Sequence, residues 1–353
     1  MIDKNVILSA KDLTVRFRVR GRELTAIRGI SMDFYENESV AIVGESGSGK
    51  SVLTKCFSGM LERNGRISSG CVEFEGQDLT KLKGAKAWNR IRGSRIATVF
   101  QDPMTSLDPV VTIGRQITAV IRAHQRCTEA EAKKRALDMM EKVGIPEPDK
   151  RFDDYPFQYS GGMRQRIVIA IALCCRPKVL ICDEPTTALD VTIQAQILRM
   201  IKDLQKEFGY TVIFITHDLG VVANIADRVA VLYAGQVVEL GTVEELFYDP
   251  RHPYTWALLS SLPQLAQRNA ELYSIRGTPP SLFDRIEGDA FAPRNPYALR
   301  IDRLKEPPMF QVSPTHFAKT WLLDPRAPVV EKPQTIQDLH EKLKAAGGDT
   351  GAG

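Results

Sequence analysis

Long hydrophobic runs are missing from this chain of 353 residues. The longest, Ile167 to Cys175, has nine residues, far short of the roughly 20 that a membrane-spanning helix needs. The N-terminus carries Asp3, Lys4, Lys11 and Asp12, so it lacks the apolar stretch of a secretory signal. These absences lead to the expectation of a soluble, cytoplasmic chain that meets a membrane only through partners. Excess charge is missing too. Lys and Arg total 47 against 43 Asp and Glu, a net charge of +4. No basic stripe stands out, so nucleic acid is not an expected partner. Cysteine is scarce: Cys56, Cys71, Cys127, Cys174, Cys175 and Cys182 include no C-x-x-C pair and have mostly apolar neighbours. That pattern suggests reduced thiols in a core rather than a disulfide framework or a metal site.

What is present starts with Val40-Ala-Ile-Val-Gly-Glu-Ser-Gly-Ser-Gly-Lys-Ser51. The apolar residues 40–43 predict a short buried strand, the glycines a loop, and residues from Val52 to Leu61 a helix. This is G-x-x-x-x-G-K-S in a strand–loop–helix context, the pattern of a phosphate-binding loop. Gly44, Gly47 and Gly49 let backbone N–H groups approach phosphate oxygens. The helix start adds the positive end of its dipole. Lys50 supplies a point charge for the β- and γ-phosphates, and Ser51 a hydroxyl for Mg²⁺.

Upstream, residues 5–34 alternate apolar and polar and predict antiparallel strands joined near Gly21. Phe17 lies in that sheet, either as an ordinary packing residue or as a platform for a nucleobase; periodicity alone favours packing. Downstream, strands are predicted at Gly70–Gly76 and Ile96–Phe100. Gln101 follows directly at a strand end, and the prolines at 103 and 109 mark 101–109 as a loop. Residues 112–158 have a helical pattern, with a capping box at Thr128-x-x-Glu131 and a stop at Gly144. Tyr159-Ser-Gly-Gly-Met163 precedes the all-apolar helix that contains Ile167–Cys175; taken alone, Ser160, Gly161 and Gly162 suggest a helix cap.

Val179–Cys182 reads as a strand buried on both faces. It ends in Asp183 and Glu184, two carboxylates at the C-terminal end of a central strand, where α/β proteins bind ligands. Asp183 is suited to hold Mg²⁺ through water and Glu184 to polarise an attacking water. Asp190 follows in a loop before a helix at Ile193–Phe208. His217 emerges at the end of the strand Thr211–Thr216, as Gln101 and Glu184 do at theirs. A hairpin over Ala234-Gly235 closes the sheet. After about residue 250 a Pro-rich extension with little strand pattern begins, and 331–353 has one polar helix candidate and a Gly-rich end.

The ordered set Gly44–Ser51, Gln101, Ser160–Met163, Val179–Glu184, Asp190 and His217 resembles an ABC-transporter ATPase, with Walker A, Q-loop, signature, Walker B, D-loop and H-loop in that order. The resemblance covers roughly residues 5–250. In the extension, Arg251-His-Pro-Tyr-Thr-Trp and Gly277-Thr-Pro-Pro look like the oligopeptide/dipeptide importer subfamily. The stretch from Pro307 to Arg326 resembles D-type ATPases of oligopeptide permeases, particularly Gram-positive forms. Two departures stand out. The signature LSGGQ is here Tyr159-Ser-Gly-Gly-Met163. The four cysteines that hold an iron–sulfur cluster in many relatives correspond to Asp289, Asn295, Asp302 and Thr320, so no Cys-ligated cluster is expected and polar contacts must hold the extension.

The resemblance implies an α/β fold: a RecA-like core, an antiparallel β subdomain, a helical subdomain at about 105–172 and a C-terminal extension. The implied division is 1–250, 251–330 and a tail at 331–353. It implies ATP and Mg²⁺ as ligands, held by Phe17 on adenine, by Gly44, Glu45, Ser46, Gly47, Ser48, Gly49, Lys50, Ser51 and Val52, and by Ser51, Gln101 and Asp183 at the metal. Glu184, His217 and Gln101 would serve hydrolysis. Ser160, Gly161, Gly162 and Asp190 would complete the site of a second, homologous ATPase in a head-to-tail dimer. The remaining implied partners are two membrane permease subunits and an extracellular peptide-binding protein, with this chain at the cytoplasmic face of the membrane. A non-transport ABC ATPase of DNA repair or translation is the main rival; one cassette and no sustained heptads weigh against it.

Overall fold

The computed structural model describes residues 5–186, 190–261 and 275–337, leaving aside the side chains at 103, 104 and 191. Two sheets organise these residues. The first holds the long strands β1 (Val6–Val19) and β2 (Arg22–Tyr35), which pair antiparallel, with β4 (Gly65–Phe74) and β5 (Gln77–Asp78) on the far side of β1. The alternation seen in sequence is the alternation of burial: Leu13, Val15 and Phe17 face inward while Arg16 and Arg18 face solvent.

The second sheet has eight strands. Its parallel centre consists of β3 (Ser39–Val43), β6 (Ile96–Val99), β7 (Val179–Asp183) and β8 (Thr211–Thr216), with β9 (Arg228–Tyr233) parallel to β3. Every residue of β3 is buried, as expected where helices or a second sheet cover both faces. The order is β9-β3-β8-β7-β6, and β10 (Gln236–Thr242) continues it antiparallel to β9. Two-residue strands, β11 (Phe310–Gln311) and β12 (Phe317–Ala318), extend the β10 edge. The extension therefore contributes strands to the core sheet, which its sequence did not announce: two residues carry no periodicity.

Helices fill the connections. In chain order they are α1 (Lys50–Ser58), α2 (Ala85–Trp88), α3 (Pro103–Ser106), α4 (Ile113–His124), α5 (Glu129–Lys142), α6 (Pro148–Arg151), α7 (Gly161–Leu173), α8 (Val191–Phe208), α9 (Leu219–Ile225), α10 (Val243–Tyr248) and α11 (Pro253–Ser260). α1 ends at Ser58, earlier than its apolar pattern suggested, because Gly59 caps it in a left-handed conformation. The segment 101–109 holds one helical turn, α3, rather than loop alone. The Thr128 capping box is present with both of its hydrogen bonds, and α5 stops before Gly144.

α4 buries Ile113, Ile117 and Ile121, which lie four residues apart, and so presents one apolar stripe. α7 is buried over most of its surface and packs between α4, α5 and β6. Between the sheets, Val40, Ile42, Ile181 and Ile213 join the side chains of β1 and β2 in one buried cluster. Each such aliphatic side chain contributes about 1.5–3 kcal/mol on burial.

The extension seats on the core through rings. Tyr254 of α11 packs at 4.6 Å centroid distance on Tyr233, and Phe291 lies 5.3 Å from each of them. Such pairs add about 0.5–1.5 kcal/mol beyond their buried area. Asp289, Asn295, Asp302 and Thr320 are all buried. Each accepts a nearby backbone N–H, from Phe291, Tyr297, Leu299 and Leu322 respectively. His316 Nε2 lies 2.8 Å from Glu239 Oε1, and Glu239 also accepts the N–H groups of Arg251 and His252. Polar contacts of the expected kind thus tie the extension down.

Candidate functional site

Neighbouring parallel strands β3, β8, β7 and β6 release their functional residues from the same sheet edge. The chain leaves β3 into Gly44, β8 into His217, and β7 through Asp183 into Glu184, while Gln101 stands two residues beyond β6. Their common register follows from the parallel ladder, in which Val43 pairs with Thr216, Asp183 with Ile215, and Val99 with Cys182. Carboxyl ends of parallel strands are the usual place for a ligand in this architecture.

The loop from Gly44 to Ser51 wraps the start of α1. A Cβ at Gly44 would lie 2.2 Å from the Leu232 carbonyl oxygen, so no larger residue fits there. Gly49 caps α1 at φ +106°, in the left-handed region that favours glycine. Lys50 is buried and donates from Nζ to the carbonyls of Gly44 (2.7 Å) and Glu45 (3.0 Å). Burial pushes its pKa down, opposed by the carboxylates of Glu184, Asp183 and Glu45. A desolvated ammonium among carbonyls and carboxylates gains much from an arriving phosphate.

Ser51 Oγ donates to Asp183 Oδ1 at 3.2 Å. Burial pushes the Asp183 carboxyl up, while the Ser51 hydroxyl opposes the shift. These hard oxygen ligands suit Mg²⁺, which takes one or two protein oxygens and completes its shell with phosphates and water. Among the described residues no cluster of three or more His, Cys, Asp or Glu side chains is placed to hold a metal by itself.

Glu184 sits at φ +46°, a strained conformation for a residue with a side chain. Its carboxylate is held from two sides: Gln101 Nε2 donates to Oε2 at 3.0 Å, and His217 Nδ1 lies 3.3 Å from Oε1. An amide and an imidazole therefore orient a carboxylate at the rim of the phosphate loop.

A cleft of about 680 Å³ joins these parts, and that volume suits a nucleotide. Its walls include Phe17, Ser46, Gly47, Gly49, Lys50, Ser51, Val52, Gln101, Asp183 and Glu184. Phe17 is buried in β1 against Gly65, as periodicity favoured, and its ring also forms part of the cleft wall. Glu45 has its carboxylate turned to Arg294 instead. Ser48 is buried in the loop. His217 faces a neighbouring pocket with Glu184 and Thr216.

Ser160, Gly161, Gly162 and Asp190 do not line the cleft. Ser160 caps α7 by accepting the Met163 N–H, and Ser160 and Gly161 are exposed. Tyr159, at the first signature position, is buried and its hydroxyl donates to the Arg151 carbonyl. Asp190 caps α8 by accepting the Ile193 N–H and is exposed; Thr187, Ala188 and Leu189 before it lie outside the described residues. Sequence reasoning missed Glu62, Asn64 and Leu282 in the cleft wall, and Tyr254 and Arg294 beside the phosphate loop. Tyr254 lies in the Arg251–Trp256 motif, but nothing in that motif points to the phosphate loop, and the others carry no local signal.

The ABC transporter family profile matches residues 27–187, and the profile of the oligopeptide/dipeptide transporter C-terminal region matches residues 238–301. The oligopeptide transport ATP-binding protein AmiE of Streptococcus pneumoniae is 66% identical over 342 residues, covering 97% of this chain and 96% of that protein. The chain belongs to the ABC transporter ATP-binding proteins. The oligopeptide transport ATP-binding protein OppD of Bacillus subtilis is 54% identical over 345 residues, covering 97% of this chain and 96% of its own. Among solved structures, the dimeric post-hydrolysis state of the ATP-binding cassette MJ0796 bound to ADP and Pi has a TM-score of 0.60 at 28% identity, covering 67% of this chain and 99% of that one. Membership makes the chain an ATP-binding component of a membrane transporter and an ATPase. Among the described residues no helix is long and apolar enough to cross a membrane.

Proposed function

We propose that this chain powers the uptake of oligopeptides across the cytoplasmic membrane, hydrolysing ATP from a peripheral position on the cytoplasmic face. Its 66% identity with AmiE over 97% of the chain carries the cargo assignment. The cleft shared by Lys50, Ser51, Asp183 and Glu184 supports the chemistry. Dipeptides are the second reading, since the matched C-terminal profile covers both peptide classes; nickel and antimicrobial peptides are further alternatives from the subfamily.

In this reading Phe17 stacks on adenine, and Lys50 with the N–H groups of residues 44–52 binds the phosphates. Ser51, Asp183 and Gln101 would hold Mg²⁺, which supplies charge neutralisation on the phosphate oxygens when bound. Glu184 accepts a proton from the attacking water; the hydrogen bonds from Gln101 and near His217 fix its orientation beforehand. His217 also steadies the γ-phosphate. The exposed N-terminus of α7, with Ser160, Gly161 and Gly162, meets the γ-phosphate held by a homologous second ATPase, and Asp190 lies at the same interface. Because N–H groups and a helix dipole favour the triphosphate, ATP stabilises the closed pair and hydrolysis releases it.

The division proposed is the one expected from sequence: a nucleotide-binding domain at 1–250 with a helical subdomain at about 105–172, an extension at 251–330 and a tail at 331–353. Residues 338–353 of that tail lie outside the described residues. The helical segment would dock two permease subunits, with an extracellular peptide-binding protein delivering cargo. The test is isolation of the membrane complex through this chain, followed by uptake with labelled oligopeptides and dipeptides. Co-purifying permeases and ATP-dependent oligopeptide uptake are expected; recovery with ribosomes or DNA instead would overturn the reading.

A further inference from the structure

Glu45 is the second residue of the phosphate loop, and all its polar groups are engaged. Its carboxylate meets the Arg294 guanidinium in a two-pronged pair, Oε2 to Nη1 at 2.7 Å and Oε1 to Nη2 at 3.0 Å. Its N–H donates to the Tyr254 hydroxyl at 2.9 Å, and its carbonyl accepts from Lys50 Nζ at 3.0 Å. Arg294 and Tyr254 both belong to the extension, more than 200 residues downstream. The Arg294 side chain is only 5% exposed. Its remaining N–H groups donate to the carbonyls of Ile275 and Arg276 and to the Tyr233 hydroxyl. A guanidinium so fully occupied is a rigid fork rather than a mobile surface charge.

We infer that Arg294 and Tyr254 are positioning residues of the nucleotide site: the extension clamps the Glu45 peptide and, through its carbonyl, the position from which Lys50 meets phosphate. The inference rests on the reading of this cleft as the ATP site. Two physical effects act together. Geometrically, Tyr254 holds the Glu45 N–H and Arg294 its side chain, so the residue whose carbonyl receives Lys50 is anchored on two sides. Electrostatically, Arg294 neutralises a carboxylate within the phosphate loop itself; without it, an unpaired negative charge would sit next to the incoming triphosphate. Supporting groups of this kind set the precision of the groups that touch ligand. A plain packing role for the extension is already supplied by the Tyr233, Tyr254 and Phe291 rings, so the Arg294–Glu45 pair is not needed for attachment alone.

The test is ATP binding by the full chain, followed by calorimetry, with thermal unfolding recorded for each variant. Arg294→Gln is expected to weaken ATP binding roughly ten-fold, the scale of one lost charge-assisted contact with its partner left unpaired. Adding Glu45→Gln to that variant removes the stranded charge and is expected to restore most of the affinity. Tyr254→Phe keeps the ring cluster and is expected to lower affinity by a few-fold without lowering the unfolding temperature; it serves also if Arg294→Gln fails to fold. Wild-type affinity in both Arg294→Gln and Tyr254→Phe would overturn the inference. So would a double variant no better than Arg294→Gln alone. Lys50→Ala separates the two layers: normal ATP binding in that variant would refute the ATP site itself, whereas its loss with unaffected clamp variants would refute only the clamp.

Discussion

Ser51 Oγ donates to Asp183 Oδ1 across 3.2 Å, joining residues 132 positions apart, one in the first turn of α1 and one at the end of β7. The contact ties the phosphate loop to the β7 terminus, the two segments proposed to share Mg²⁺. Asp183→Asn keeps the shape and removes the charge. It is expected to raise the Mg²⁺ concentration needed for half-maximal ATP binding by about ten-fold or more, with little change in Mg²⁺-free binding. A magnesium titration of nucleotide binding measures this; an unchanged midpoint would remove Asp183 from the metal site.

Ser160 caps α7 away from the cleft of its own chain. Replacing it with arginine is therefore expected to leave ATP affinity of the isolated chain unchanged. In the assembled transporter the same variant is expected to depress turnover, because the arginine occupies the place of the partner's γ-phosphate. Paired measurements of binding and complex turnover test this. Full turnover would show that the helix start does not complete a neighbouring site.

Asp289 gives a pH signature to the extension. Burial raises its pKa to about 6 from an ordinary 3.8, and the neighbouring Asp302 carboxylate adds to the shift. Between those values the folded chain keeps the proton that the unfolded chain loses. Stability from this group is thus full below about pH 4 and is lost as pH rises through 6. Asp289→Asn still accepts the Phe291 N–H but cannot titrate. Its stability relative to the wild type is expected to rise across pH 4 to 6 by roughly 2 kcal/mol. Denaturant unfolding at both ends of the window checks this; a difference independent of pH would mean that Asp289 is not held protonated.

Much of the fold and site was legible in sequence wherever chemistry and local structure coincide. Val40–Val43 followed by Gly44 to Ser51 dictates strand, loop and helix with no help from the rest of the chain. The apolar run at Val179 ending in Asp183 and Glu184 works the same way. Phe17 was ambiguous because a ring that packs in β1 also reaches the cleft wall. What sequence could not give were relations between distant segments. Arg294 and Glu45 are 249 residues apart, and neither has a local pattern that reports the other. Glu184, at its strained φ, likewise donates its N–H to the Ile215 carbonyl across the sheet, a contact that its neighbours in the chain do not report.

Glu184 is the side chain on which turnover depends in this reading, and Glu184→Gln tests it most directly. The amide keeps the size of the side chain and a contact to Gln101 or His217 but cannot take a proton. In the assembled transporter, the site formed on this chain is expected to retain ATP uncleaved, with nucleotide affinity near wild type and turnover at that site reduced by at least about a hundred-fold, the usual scale of a lost general base. Undiminished cleavage of ATP at that site would contradict it.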